Sequence, residues 1–307
     1  MKFKKALKHP IQSFKRTLTR FRLRLTCFRC VSDKSAICKQ YKLSMKKKLN
    51  LDNPKTFNEK LNWIKLYYRK PLFIDMVDKY NVKQLVSNKI GEEYVIPSIG
   101  VYKKWDEIDF SKIEAPFVIK TTHSSGCIAV IKEKNERVLE STKKKMNRSL
   151  RTNYFYHCRE WAYKNVEPRI IIEKFVKDEK EDNLPVFKFF CFDGEPYLVQ
   201  TIKNDKTKYE TIDYFDMDWK LLNLRQNFNN SDIPLDKPRN FGEMKKIAAQ
   251  LSKGFPFIRV DLYSVNGKVF FSEFTFFSDA GYQRFYPDEW DYILGEKIKL
   301  DLNEKYC

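Results

Sequence analysis

The sequence predicts an α+β fold built on antiparallel hairpins, and three observations carry that expectation. Asp193-Gly194 and Asn266-Gly267 each separate two runs rich in aromatic and β-branched residues, and such dipeptides suit the positive-φ positions of a tight hairpin turn. Strand-like runs crowd the chain after about residue 116, while helical spacing of apolar residues dominates before it. Two hairpins with helices set between them argue against a doubly wound parallel sheet.

Taken in order, the first 48 residues stand apart. They hold 16 Lys/Arg and one acid, Asp33, whereas the body carries only about +4 of the chain's formal +19. Phe3, Leu7, Ile11, Phe14, Leu18, Phe21, Leu25 and Phe28 recur every three or four residues, which predicts a helix with one apolar stripe. Pro10 leaves its firm part at about 11–29. Basic residues fill much of the remaining circumference, the pattern of a helix lying on an anionic membrane surface through residues 1–45. Docking on the body is the alternative for the same stripe. No nucleic-acid-binding module accompanies the charge, so nucleic acid is not expected as a partner.

Beyond the leader, residues 49–115 read as helical, with FNEKLNWIKLYY forming one helix at 57–68 and a second predicted over 75–88. Residues 116–176 and 177–307 then read as two α+β subdomains. Strands are expected at 117–120, 128–132, 169–176, 187–192, 197–202, 257–263 and 269–276, with helices at 139–150 and 242–253.

With 307 residues, 42% of them hydrophobic, the chain can bury a substantial core. The seven cysteines and the lack of a secretory signal or an 18-residue apolar run predict a reduced, cytoplasmic protein, peripheral on the inner face of the membrane. Cys27, Cys30 and Cys38 could form a zinc site with His9, against the simpler reading of free thiols on a helix. Three histidines exclude a His-rich metal centre, and the Walker A, dinucleotide-binding, nucleophile-elbow and zincin motifs are all absent.

Chemistry concentrates in a few segments. Lys120 ends an apolar strand and precedes a short polar loop, His123-Ser124-Ser125-Gly126, able to wrap phosphate with backbone N–H groups. Glu173 closes a buried strand, where it could accept from a ribose, order a cation or serve as a structural acid. Arg259, Asp261 and Glu273 are charged residues in apolar strands, a costly placement unless they are paired or bind metal. Two carboxylates and an arginine on neighbouring strands suggest a magnesium–phosphate site, with an internal salt bridge as the alternative. Asp216-Met217-Asp218 is a D-x-D, which would suit a glycosyltransferase, although no nucleotide-binding βαβ unit precedes it.

In that order, Lys79 in VDKYNVKQLV, Lys120 before HSSG, Glu173 in IIEKF and RVD…NGK…SEFTF resemble the ATP-grasp superfamily. More narrowly, DNPKTFNEKLNWIKLY, DKY…IGEEYVIP, REWAYKN and FPFIRVDLYSVNGKVFFSEFTF resemble the TupA-like branch found with bacterial surface-polysaccharide genes, over about 50–298. The resemblance implies two α+β subdomains gripping ATP, with Lys79 and Lys120 on its phosphates. It also implies Ser124, Ser125 and Gly126 as the loop over them, and Glu173 at the adenosine. Asp261, Glu273 and Thr275 would then hold Mg2+, and Arg259 would face the transferred phosphate. Thr275 stands where many such ligases have Asn. The implied activity is a carboxylate–amine ligase of surface-polysaccharide assembly working through an acyl phosphate, on a carbohydrate, amino-sugar or amino-acid acceptor. The alternatives are the Asp216/Asp218 glycosyltransferase and a non-catalytic membrane-associated scaffold.

One geometric demand follows from strand parity. Arg259, Asp261, Glu273 and Thr275 share a face only if the Asn266-Gly267 connection is an odd-length loop, Val265 to Gly267, or if a bulge restores the same parity.

Overall fold

The architecture was analysed in a computed structural model that describes residues 30–179, 184–204, 207, 209–303 and 305. The leader helix expected at 11–29 lies outside them.

Helix α1 (Asp33–Met45) starts at Ser32, whose hydroxyl accepts from the Ser35 N–H at 3.3 Å. Its Ile37, Tyr41 and Met45 pack with Leu49 and Leu66 of the body. Helix α2 (Phe57–Tyr67) is opened by a capping box in which Thr56 and Glu59 satisfy each other's backbone N–H groups. Of the apolar face expected from the sequence, Phe57, Leu61, Ile64 and Tyr68, the first three are buried, while Tyr68 is half-buried and caps the helix end.

The single helix predicted over 75–88 is two, α3 (Leu72–Val77) and α4 (Asn81–Ile90). The break comes from Asp78. Its carboxylate accepts from the N–H groups of Tyr80 (2.8 Å) and Asn81 (3.2 Å) and pairs with Arg169 at 2.7 Å. Lys79 therefore sits at the joint, where its backbone N–H donates to the Thr122 carbonyl at 3.2 Å.

Strands β1 (Ser98–Tyr102), β2 (Phe117–Thr121), β3 (Ile128–Ile131) and β4 (Ile170–Lys174) form one antiparallel sheet in the order β1-β4-β2-β3. Helix α5 (Glu136–Leu150) begins at the cap residue Asn135 and packs Met146 against Phe117, Ile119 and Ile131. The short α6 (Phe155–Cys158) leads back toward β4.

The second sheet has five antiparallel strands, β5 (Val186–Phe192), β6 (Glu195–Lys203), β7 (Thr211–Asp216), β8 (Ile258–Val265) and β9 (Lys268–Thr275). Their order is β7-β6-β5-β8-β9. Helices α2, α7 (Phe241–Ser252) and α8 (Glu289–Lys297) contribute to the core around it, where Phe57 meets Phe257 edge-on at 4.8 Å. The α+β class and both hairpins stand as the sequence predicts.

The hairpin reaches its parity by the second of the two expected routes. Val265 pairs with Lys268, so the loop is two residues, with Asn266 and Gly267 both at positive φ (49° and 78°). An odd-length loop is not formed. Pairing then shifts between Leu262↔Phe271 and Asp261↔Glu273, leaving Ser272 as the extra residue of a bulge. Without that residue, Glu273 would point away from Asp261.

Candidate active site: a lysine-lined cleft between two sheets

Across the second sheet, Lys188 on β5 pairs with Asp261 on β8, and Asp261 pairs with Glu273 on β9. Three charged residues thus form one row on one face. Phe190, Arg259 and Thr275 form the next row of the same face. Arg259 grips Asp261 with both prongs of its fork, at 2.7 and 2.8 Å, and reaches Ser278 Oγ at 3.3 Å. Glu273 Oε1 lies 3.9 Å from the same guanidinium, and Lys188 Nζ lies 3.7 Å from Asp261. Burial would push the Arg259 pKa down, but Asp261 and Glu273 hold it above its ordinary value. Arg259 stays charged.

From the first sheet, β2 and β4 bring up an opposing set. Glu173 pairs with Val118, so Lys120, two residues along β2, lies diagonally across from it on the same face. Lys120 Nζ approaches Glu173 to 2.5 Å, and Lys83 Nζ of α4 reaches its other oxygen at 2.7 Å. Burial alone would raise the Glu173 pKa, but these two ammonium groups hold it below the usual carboxylate range. Burial likewise pulls Lys120 down, and the Glu173 charge overrides it to leave Lys120 raised. Lys79 and Lys83 are shifted down, chiefly by burial.

The loop after β2 is held from behind. Thr121 Oγ1 lies 2.6 Å from Ser124 Oγ and 2.9 Å from Ser149 Oγ of α5, while His123 Nε2 meets the Ser149 carbonyl at 3.0 Å. Lys79 Nζ donates to the Ser124 carbonyl at 2.5 Å. Ser124 is therefore turned inward and buried, whereas Ser125 and Gly126 line the cleft. Gly126 takes φ 76°, a left-handed conformation that favours glycine.

The cleft measures about 270 Å3. Of the residues singled out from the sequence, Lys79, Lys120, Ser125, Gly126, Glu173, Asp261 and Glu273 line it. Arg259 adjoins it through Asp261, and Thr275 occupies the next same-face position after Glu273. Lys83, Lys188 and Tyr263 also line it and were not anticipated. Each left a signal. Lys83 follows Lys79 by one helical turn's spacing, and Lys188 is a charge inside the apolar run VFKFFCF, the same anomaly that marked Arg259 and Asp261.

Asp216 and Asp218 lie elsewhere. They fall at the end of β7, the edge opposite β9, and Asp216 Oδ1 accepts from the N–H groups of Asp218 (2.9 Å) and Lys220 (2.8 Å) in its own turn. This carboxylate shapes a turn and does not face the lysine cleft.

Asp261 and Glu273 are the carboxylates here that could hold a divalent ion. Glu273 has a side chain 41% exposed to the cleft, beside the buried Asp261. Among the described residues, no group of three or more His, Cys, Asp or Glu could hold a metal. A pair of carboxylates fits Mg2+ that keeps phosphate oxygens and water as its remaining ligands.

With this geometry in place, the comparison with known families is decisive. The model of the TupA-like ATP-grasp family matches residues 59–299. The chain belongs to that family.

Among solved structures, this TupA-like ATP-grasp protein is similar to the D-alanine–D-alanine ligase of Helicobacter pylori. The two are 13% identical with a TM-score of 0.44, over 82% of this chain and 69% of that one. The D-alanine–D-alanine ligase of Bacillus anthracis is 17% identical with a TM-score of 0.39, over 80% and 69%. N5-carboxyaminoimidazole synthetase of Staphylococcus aureus is 16% identical with a TM-score of 0.37, over 66% of this chain and 44% of that one. The chain thus spans less than half the length of the synthetase. No curated protein matches it.

Proposed function

We propose that the protein is an ATP- and magnesium-dependent carboxylate–amine ligase. The observation that carries this reading is the meeting of four lysines, Lys79, Lys83, Lys120 and Lys188, with the Asp261–Glu273 carboxylate pair in one cleft. Such a set suits a polyphosphate with a divalent ion, and family membership points the same way.

In this reading Lys79, Lys120 and Lys188 neutralise the phosphate oxygens, and the backbone of Ser125 and Gly126 closes over them. Glu173, held between Lys83 and Lys120, stands at the nucleoside end. Asp261 and Glu273, with Thr275 nearby, would hold magnesium, which would supply neutralisation of phosphate charge when bound. A substrate carboxylate oxygen attacks the γ-phosphorus, the bond to the bridging oxygen breaks, and ADP leaves. An amine then attacks the acyl carbon and displaces phosphate, giving an amide. Arg259 stabilises charge as it develops on the transferred group and on the acyl oxygen. Little covalent help is required; positioning and charge neutralisation do the work.

The role we infer is in assembly of bacterial surface polysaccharide, with a carbohydrate, amino-sugar or amino-acid acceptor. ADP and phosphate should appear in equal amounts only when a carboxylate and an amine are both supplied with ATP and Mg2+. Turnover that depends on a sugar nucleotide without ATP would contradict the ligase reading.

We further propose that the basic leader places the enzyme on the inner face of the cell membrane. None of the described helices is long and apolar enough to cross a bilayer. Anionic vesicles should sediment the full chain and lose it when residues 1–29 are deleted; binding that survives the deletion refutes the anchor.

A further inference from the structure

One buried carboxylate near this cleft has no part in the scheme above. Glu160 follows α6 in the segment HCREWAY and is 8% exposed. Among the described residues its side chain makes no hydrogen bond or ion pair, and its carboxylate keeps a narrow opening to solvent where buried carboxylates are normally paired.

Its surroundings are assembled by Lys65 of α2. That fully buried ammonium donates to the carbonyls of Ala280 (2.7 Å) and Cys158 (3.3 Å) and lies 4.1 Å above the Tyr282 ring. Lys65 thus ties the segment holding Glu160 to the segment holding Asp279, and it spends its donors on carbonyls. Ser278, next to Asp279, is the residue that Arg259 touches. Both tied segments are strained, with Arg159 (φ 57°), Asp279 (φ 47°) and Ala280 (φ 53°) in the left-handed region without being glycine. Such strain concentrates at functional sites.

We propose that Glu160 and the exposed Asp279 form the subsite for the amine acceptor, receiving a primary ammonium group on the Arg259 side of the cleft. This rests on the ligase reading. Two carboxylates, with Tyr154, Tyr163 and Tyr282 all close enough to feel the Glu160 charge, favour a cation, whereas a carboxylate donor belongs at Arg259. Tyr154 and Tyr163 meet edge-on at 4.9 Å. The Ser125 side chain, on the loop over the phosphates, lies near Tyr154 and opposes the upward shift that burial gives the Tyr154 hydroxyl.

Glu160 also suits the proton transfer. Its pKa is raised to about 7, chiefly by burial and further by Asp279 and Glu273, against the pull of Lys65 and Arg259. A base poised there takes a proton from the bound ammonium. The freed nitrogen lone pair attacks the acyl carbon, the C–N bond forms and the C–O bond to phosphate breaks. The second N–H proton leaves on the phosphate, and Glu160 returns its own proton to water.

The test uses the full chain with magnesium, with and without the non-hydrolysable analogue AMP-PNP, and reads ligand binding by saturation-transfer NMR. Glucosamine and L-alanine are the ammonium probes; N-acetylglucosamine and N-acetyl-L-alanine are the neutral controls. At least one ammonium probe should bind, neither control should, and Glu160→Gln should weaken binding tenfold or more. Glu160→Asp, which keeps the charge, should recover part of it. Asp279→Asn, a surface change, should weaken binding about threefold and serves if Glu160→Gln fails to fold. Binding of no ammonium probe, equal binding of the controls, or undiminished binding by the variants would overturn the proposal. Loss of AMP-PNP binding together with amine binding in Glu160→Gln would also overturn it, by making the residue structural. AMP-PNP failing to bind the wild type would instead refute the ligase reading, and the amine arm would be judged on its nucleotide-free data.

Discussion

Arg259→Ala is expected to lower kcat by about a hundred- to a thousandfold, the usual cost of removing a preorganised group that stabilises developing charge. The same change should destabilise the fold. Asp261 is 1% exposed and receives two bonds from the Arg259 fork, so the variant leaves it buried with only Lys188 at 3.7 Å. Breaking a buried pair from one side costs about 3–5 kcal/mol, and Lys188 should keep the loss near the lower end. Arg259→Lys separates the effects. It keeps the charge but lacks the planar fork, so it should recover part of the stability and little of the rate. Thermal melting and the rate of ADP release, measured side by side, check both. Full activity in Arg259→Ala would remove it from the chemistry.

Lys120→Ala should raise the Kd for ATP by about ten- to a hundredfold, because two effects add. One charge-assisted contact to phosphate is lost, worth about 1.5–3 kcal/mol. Glu173, now held by Lys83 alone, also becomes a less screened negative charge at the nucleotide. A second change, Glu173→Gln, removes that repulsion. The double variant should therefore bind ATP more tightly than Lys120→Ala alone, a coupling expected of neighbours in contact. Isothermal titration of the single and double variants reads it directly. Strict additivity would mean that the Lys120–Glu173 pair does not act on the nucleotide.

How far the site was legible in the sequence follows from which signals are local. Turn chemistry is local, so Asp193-Gly194 and Asn266-Gly267 revealed both hairpins. Parity required Arg259, Asp261 and Glu273 on one face, but the loop length and the Ser272 bulge are alternative solutions of that constraint. Sequence alone does not choose between them. β1 and β7 escaped because SIGVY is interrupted by Gly100, while TIDYFD carries Asp213, which is 1% exposed and caps the Ser231 N–H at 2.9 Å. The break at Asp78 escaped because its partner, Arg169, lies 91 positions away. Glu160 stood in a motif without a derivable role, since its isolation depends on Lys65 turning to the Cys158 and Ala280 carbonyls.

The central claim is that the two sheets enclose a site for a nucleoside triphosphate with magnesium. Titrating the wild-type chain with AMP-PNP and Mg2+, in parallel with UDP-glucose and Mg2+, tests it most directly. The account predicts one AMP-PNP bound per chain, weakened at least tenfold by Lys120→Ala and unchanged by Asp216→Asn, with no heat from the sugar nucleotide. Binding of UDP-glucose that Asp216→Asn abolishes, with none of AMP-PNP, would contradict it.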